Sequence, residues 1–384
     1  MAFTDQTIQG EVAPGFEAVA TAFMDNFSTR GELGAAFAVW RGDELLVDLW
    51  GGVRDPRTGA PWERDTLQLV YSGTKGLTSV CLLLLIDRGL LDLDAPVARY
   101  WPEFAAAGKG DILVRHAVTH QAGLPGLREP LVGDDLLDDR AMAARIAAET
   151  PFWPVGEQVC YHPMTWGWIC GELIRRIDGR SAGRFFADEI AAPLGLDAWI
   201  GLPPELEERV SVIRPGPGWG VAPELSEERA TADPVIRAVW HNPPGRHREP
   251  LAQNTAAYHQ AEIPAANAIV SARSMARLYG LLATGGGGLL SPETLALGHR
   301  CLVTGRDPLI ERPWAYGVGF QLQTELMVLG PPGTAFGHAG VGGSVHGAWP
   351  DQGLGFSYAM NELRSAPDFR ASACLDALYA ATLA

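Results

Sequence analysis

Residues 14–27 carry apolar side chains at three- and four-residue intervals, which predicts an amphipathic helix. Two apolar runs follow, 35–40 and 45–50. Arg41-Gly42-Asp43-Glu44 between them reads as a hairpin turn. Residues 66–71 are a short approach to a strong, nearly all-apolar helix over 72–87, with Gly89 as its stop. From 92 to 201 the pattern is helical, with helices predicted over 115–119, 141–150, 165–177 and 183–191, interrupted repeatedly by Pro and Gly. The stretch 202–250 is rich in Pro, Gly and charge, and loops of that length in compact proteins are commonly lids or binding loops. A helix over 271–282 and a turn at 285–288 lead to short strands over 316–323, 335–338, 344–349 and 353–358, and 367–381 reads as a final helix.

This order predicts an α+β fold: a central antiparallel sheet flanked by helices, drawn from 1–95 and 260–384, with a mostly helical region, 96–259, inserted between them. The active site is expected in the cleft between the two regions. Composition narrows the function classes. The 384 residues carry a net charge of -15, with 47% hydrophobic and 20% charged residues. That suits a dense core in one large domain or two closely packed ones. The acidic balance argues against nucleic acid and anionic membranes as partners, because both need a basic patch. The five cysteines, Cys81, Cys160, Cys170, Cys301 and Cys374, are odd in number and scattered, so they read as free thiols in a reducing compartment. Residues 1–15 are polar and acidic, unlike a secretory signal. The longest apolar run, 80–86, is far short of the roughly 20 residues that span a bilayer. A soluble, cytoplasmic protein with no cofactor is expected.

Ser72 and Lys75 stand three apart at the start of the apolar helix, on one face and one turn from each other. A serine hydroxyl is a weak nucleophile without an adjacent base. Burial and the positive end of the helix both disfavour an ammonium at Lys75, which suits it as that base. The N–H of Ser72 sits where unpaired helix donors stabilise an oxyanion. Four residues of this kind arise by chance, but a wholly apolar helix is buried, and a buried lysine is costly unless it has a partner or a task.

The stretch Val70-Tyr71-Ser72-Gly73-Thr74-Lys75-Gly76-Leu77-Thr78, followed by 87–97, resembles the serine β-lactamase and penicillin-binding-protein superfamily. It is most similar to the branch holding class C β-lactamases and family VIII carboxylesterases. Residues 114–125, 154–161 and 337–344 match further motifs in the family's order, so the resemblance runs from about 35 onward, excepting 202–250. It implies a β-lactamase/transpeptidase-like fold, with Ser72 as nucleophile and Lys75 as base. Tyr161 would share proton transfer with Lys75, provided that nearby positive charge lowers its pKa. Pro163 stands where the family's Y-x-N motif has asparagine. His338-Ala339-Gly340 stands where β-lactamases have K-T-G, and a mostly neutral histidine there favours neutral esters over anionic β-lactams. By the same resemblance the N–H of Val341 completes an oxyanion hole with that of Ser72. The implied activity is hydrolysis of small carboxylic esters through an acyl-enzyme. The alternatives are an acyltransferase, a D-amino-acid amidase or peptidase, a weak β-lactamase, and a sensor that is acylated without turnover.

Gly179-Arg180-Ser181-Ala182-Gly183 reads G-x-S-x-G, but a helix precedes it, so Ser181 reads as a helix N-cap. His116 and His120 lack the glutamate and third ligand of a zinc site, so no metal is expected. Trp153, Trp166, Trp168 and above all Trp349 are candidates for the wall of an apolar pocket.

Overall fold

The computed structural model describes residues 8–220, 226–245 and 247–383. The expectations for the first seven residues and for 221–225 and 246 of the long loop lie outside them. Strands β1 (Ile8–Val12), β2 (Gly34–Arg41) and β3 (Glu44–Asp55) are joined late in the chain by β4 (Val303–Arg306), β5 (Pro313–Tyr316), β6 (Gln321–Leu322), β7 (Phe336–Ala339), β8 (Val345–Trp349) and β9 (Leu354–Met360). Together they form one antiparallel sheet in the order β1-β3-β2-β9-β8-β7-β6-β5-β4, with Ala60–Pro61 flanking β3. The expected hairpin is β2–β3, turning at Gly42 with φ +55°. The seam between early and late chain is β2 against β9, from Leu354↔Arg41 to Met360↔Ala35.

Side chains alternate across the pleat, and the two faces differ in bulk. Phe37, Phe356 and Tyr358 point to one face, where Phe23 of α1 (Glu17–Ser28) meets Tyr358 edge-on at 6.3 Å. Ala36, Ala38 and Ala359 line the other. There the helix over Ala272–Ala283 presses so close that a Cβ at Gly355 would lie 1.9 Å from the Gly280 nitrogen.

Helix α2 (Thr74–Asp87) is enclosed, with every residue from Thr74 to Leu85 buried. It packs on α3 (Thr165–Asp178) of the helical region, where Val114–Val118, Asp139–Ala148 and Ala182–Phe186 also form helices. The predicted helix start is altered. Tyr71–Gly73 forms a separate 3-10 turn ahead of α2, because Tyr71 holds φ +47°. The predicted strand over 316–323 is two strands, broken where the Gly317 N–H turns back to the Phe320 carbonyl. The stretch 202–250 is not wholly loop: it holds short helices at Glu227–Ala232 and α4 (Pro234–Trp240), each capped by an acceptor side chain, Ser226 and Asp233. Strand β1 went unpredicted because Gly10, whose Cβ would strike the Asp48 carbonyl, takes the inward position between Ile8 and Val12 and hides the alternation. Four of the cysteines are buried and Cys301 is exposed. Among the described residues no helix is long and apolar enough to cross a membrane.

Candidate active site

Ser72 sits at the crest of the 3-10 turn and is half-buried, opening into a cavity of about 450 Å³. Tyr71 before it lies in the left-handed region, a strained position for a bulky residue. The turn is over-determined. Thr74 Oγ1 donates to the Tyr71 carbonyl at 2.6 Å and accepts from the Ala268 N–H at 2.8 Å, and Gly73 N–H donates to the Val70 carbonyl at 2.9 Å.

The spacing of Ser72 and Lys75 does what the sequence implied. Lys75 is fully buried, with Nζ 3.3 Å from Ser72 Oγ. It also donates to the carbonyls of Pro163 at 2.9 Å and Ala265 at 3.0 Å. With two hydrogens directed at carbonyls, the nitrogen meets Oγ with either a third hydrogen or a lone pair. Pro163 supplies this orientation through its backbone, so the missing asparagine side chain is not needed to aim the amine.

Tyr161 reaches Ser72 Oγ from the opposite wall, donating from Oη at 2.7 Å. Its ring is held in a stack, with Trp314 at 5.2 Å and Trp240 of α4 at 6.1 Å. Its N–H donates to Asp307 Oδ2 at 2.7 Å. Asp307, buried in the turn between β4 and β5, also accepts from the N–H groups of Leu309 and Ile310 and from the Trp314 indole. Burial pushes the Tyr161 phenol above its ordinary range. The Ser72 contact and the Arg312 charge oppose that more weakly. The condition attached to Tyr161, a phenol pKa lowered by nearby positive charge, is not met: desolvation exceeds the pull of the nearby cation, and Tyr161 rests as a neutral phenol that donates to Ser72.

The third side is the end of β7. His338 is buried on the cavity wall, its ring 5.9 Å from that of Tyr161 and its Nδ1 2.8 Å from the Ala339 carbonyl. Burial, then the charge of Lys75, pull its pKa well below the usual range, so the ring is neutral. Gly340 passes so near the Tyr71–Gly73 turn that a Cβ would stand 2.4 Å from the Val70 carbonyl, and Ser344 beside it closes the space further. Buried Arg370 braces the following turn by donating to the Gly342 and Glu362 carbonyls at 3.2 and 3.0 Å. It is itself paired with Glu32 at 2.7 Å and with Asp368 at 2.7 Å. Val341 at that turn lines the cavity with Ser72. Among the described residues, neither the Ser72 nor the Val341 N–H is bonded to protein.

Other candidates fall elsewhere. Trp349 is a correction: it lies on the opposite face of β8 from His346, fully buried against Phe356 and Tyr379, with its indole donating to the Leu329 carbonyl at 2.7 Å. Trp153, Trp166 and Trp168 do not line the cavity either; Trp240, Trp314, Tyr71 and Tyr258 do. Ser181 caps its helix, accepting from the Arg184 N–H, and donates to Glu262 at 2.6 Å. Gly179 ends the preceding helix at φ +93°. His116 accepts from the Leu113 N–H and His120 from that of His162, so both are engaged in local structure. Asp307, Arg312, Trp314, Trp240 and Arg370 were not singled out from sequence. The sequence signal near them is the alternation of large apolar residues that starts at Trp314 and continues through Tyr316, Val318 and Phe320.

The chain is similar to known proteins along nearly its whole length. A family model described as Beta-lactamase matches residues 16–381. Esterase/beta-lactamase LipL of Mycobacterium tuberculosis is 36% identical over 370 residues, covering 93% of this chain and 83% of that protein. The crystal structure of a family VIII carboxylesterase superposes with a TM-score of 0.89 at 37% identity, over 97% of this chain and 99% of the other. A penicillin-binding-protein homologue from Caulobacter crescentus gives 0.88 at 36% identity, over 98% and 100%.

Proposed function

Because the chain belongs to the beta-lactamase family and is an enzyme of that serine-hydrolase fold, we propose that it hydrolyses small carboxylic esters through an acyl-enzyme on Ser72. The observation that carries this reading is a half-exposed hydroxyl held between a phenol at 2.7 Å and a buried amine at 3.3 Å, at the floor of an apolar cavity. Ser72 Oγ attacks the ester carbonyl carbon as its proton passes to Lys75 Nζ. The carbonyl oxygen becomes an oxyanion that the Ser72 and Val341 N–H groups receive. The bond to the alcohol breaks, the leaving oxygen takes the Tyr161 Oη proton, and the Lys75 ammonium restores that proton. Water then attacks the acyl carbon, surrenders a proton to the same pair, and Ser72 departs with it. Esters are favoured over β-lactams because His338 is neutral and leaves β7 without the cation that attracts a β-lactam carboxylate.

The test is a fluorophosphonate label located by mass spectrometry, together with p-nitrophenyl butyrate and nitrocefin turnover by the wild type and Ser72→Ala. The expected result is a label on Ser72, faster butyrate turnover, and a fall of about 10,000-fold or more in kcat for the variant. A label on Ser181, or nitrocefin turned over faster than the ester, overturns the proposal.

A further inference from the structure

Among the described residues that line the cavity, the permanent charges are Asp134, exposed at its rim, and Arg312. Arg312 directly precedes β5, and its guanidinium carbon lies 4.6 Å from the Trp314 ring centroid, on the aromatic stack that holds Tyr161. Its Nε is buried without an acceptor among the described residues. The acid of the same hairpin, Asp307, is already engaged by three N–H groups and an indole. A buried guanidinium N–H without an acceptor is costly, and the planar fork of arginine, here only partly buried, matches a carboxylate through two parallel hydrogen bonds. The Trp314 ring beside the guanidinium restricts how that fork can be turned. Neutral His338 removes charge from the β7 side, while Arg312 supplies it on the facing wall.

We infer that Arg312 anchors a carboxylate carried by the ester, so that the preferred substrates of this cavity are anionic esters. The inference rests on the ester reading above and names its substrate class. The carboxylate belongs either to the acyl half, as in the half-ester of a diacid, or to the alcohol half, as in an acylated hydroxy acid.

Two matched pairs distinguish these: monoethyl adipate against its terminal amide, and 4-(butyryloxy)benzoate against 4-(butyryloxy)benzamide. The kcat/KM ratio of anionic to neutral ester is measured for the wild type, Arg312→Gln and Arg41→Gln, the last at an exposed arginine of β2. The expected result is a ratio of at least about ten in one pair, falling with added salt, unchanged in the Arg41 variant and close to one in Arg312→Gln. The pair that responds identifies the half carrying the charge. Equal turnover within both pairs, or a preference that survives in Arg312→Gln, overturns the inference while leaving the ester reading intact. If no ester is turned over, the ester reading fails. Calorimetry of 4-(butyryloxy)benzoate then decides: binding lost in Arg312→Gln supports the anchor, and binding equal or absent in both overturns it.

Discussion

On the β7 side of the cleft, the groups facing Ser72 are held by backbone. Gly340 passes the Val70 carbonyl with no room for a methyl, its N–H donates to the Ser344 carbonyl at 2.8 Å, and Arg370 grips the turn beyond it. On the facing side, Tyr161 is held by a stack of rings contributed by α4 and β5, and by one carboxylate, Asp307. Backbone bracing fixes N–H vectors, which a developing oxyanion requires to a fraction of an ångström. A stack of aromatic side chains fixes one hydroxyl while leaving the surrounding surface free to change shape. The division suggests that the first wall sets the chemistry and the second sets which molecules receive it, apart from the single oxygen of Tyr161.

Removing that oxygen is the largest expected effect. Tyr161→Phe keeps the stack and deletes the donor to Ser72, so kcat on p-nitrophenyl butyrate should fall about 100- to 10,000-fold with an unchanged circular dichroism spectrum. A loss within threefold would mean that the facing wall contributes shape alone.

Acid should affect both walls. His338 and His346 on the sheet side, and His120 and His162 opposite, are buried with ring pKa values below 6.5; His162 is pulled down to about 4 and His346 to about 3, chiefly by burial. In the unfolded chain these rings charge near pH 6.5. Between that pH and about 4 the unfolded state therefore binds more protons than the folded one, and stability falls as pH falls, by about 1.4 kcal/mol per histidine per pH unit. Urea melts from pH 7.5 to 5 should show this slope, and His346→Asn and His162→Asn should each remove one histidine's share of it. A slope that only one of them flattens would separate the walls.

The smallest expected effect is on selectivity. Trp240→Ala opens the facing wall, and KM across p-nitrophenyl acetate to octanoate should change about three- to tenfold, more than kcat does. An equal loss of kcat for every ester would show that the stack serves Tyr161 alone.

The sequence made one wall far more legible than the other. Ser72 and Lys75 are three residues apart, so helical periodicity alone brought them together, and the run His338 to Ser344 kept its strand-and-turn pattern. Trp240, Asp307, Arg312 and Trp314 gather around Tyr161 only because the turns between them fold back, and short-range periodicity carries no record of that. Trp349 misled because closeness along the chain was read as closeness in space. It lies three positions after His346, and an odd offset along a strand points a side chain to the other face. The Tyr161 phenol departs from the condition set for it for a related reason: its pKa is raised by enclosure, which depends on packing that motifs do not record.

The seam between β2 and β9 carries a consequence for synthesis. The ribosome delivers Ser72 and Lys75 about 270 residues before Val341, and the strands that flank Val341, β7 and β8, reach the early strands only through β9, which pairs with β2. Pairing across so great a sequence separation is slow. A nascent or stalled chain thus holds the hydroxyl and the amine before it holds the turn after β7, and the arrangement around Ser72 is complete only once β7 to β9 have joined β2.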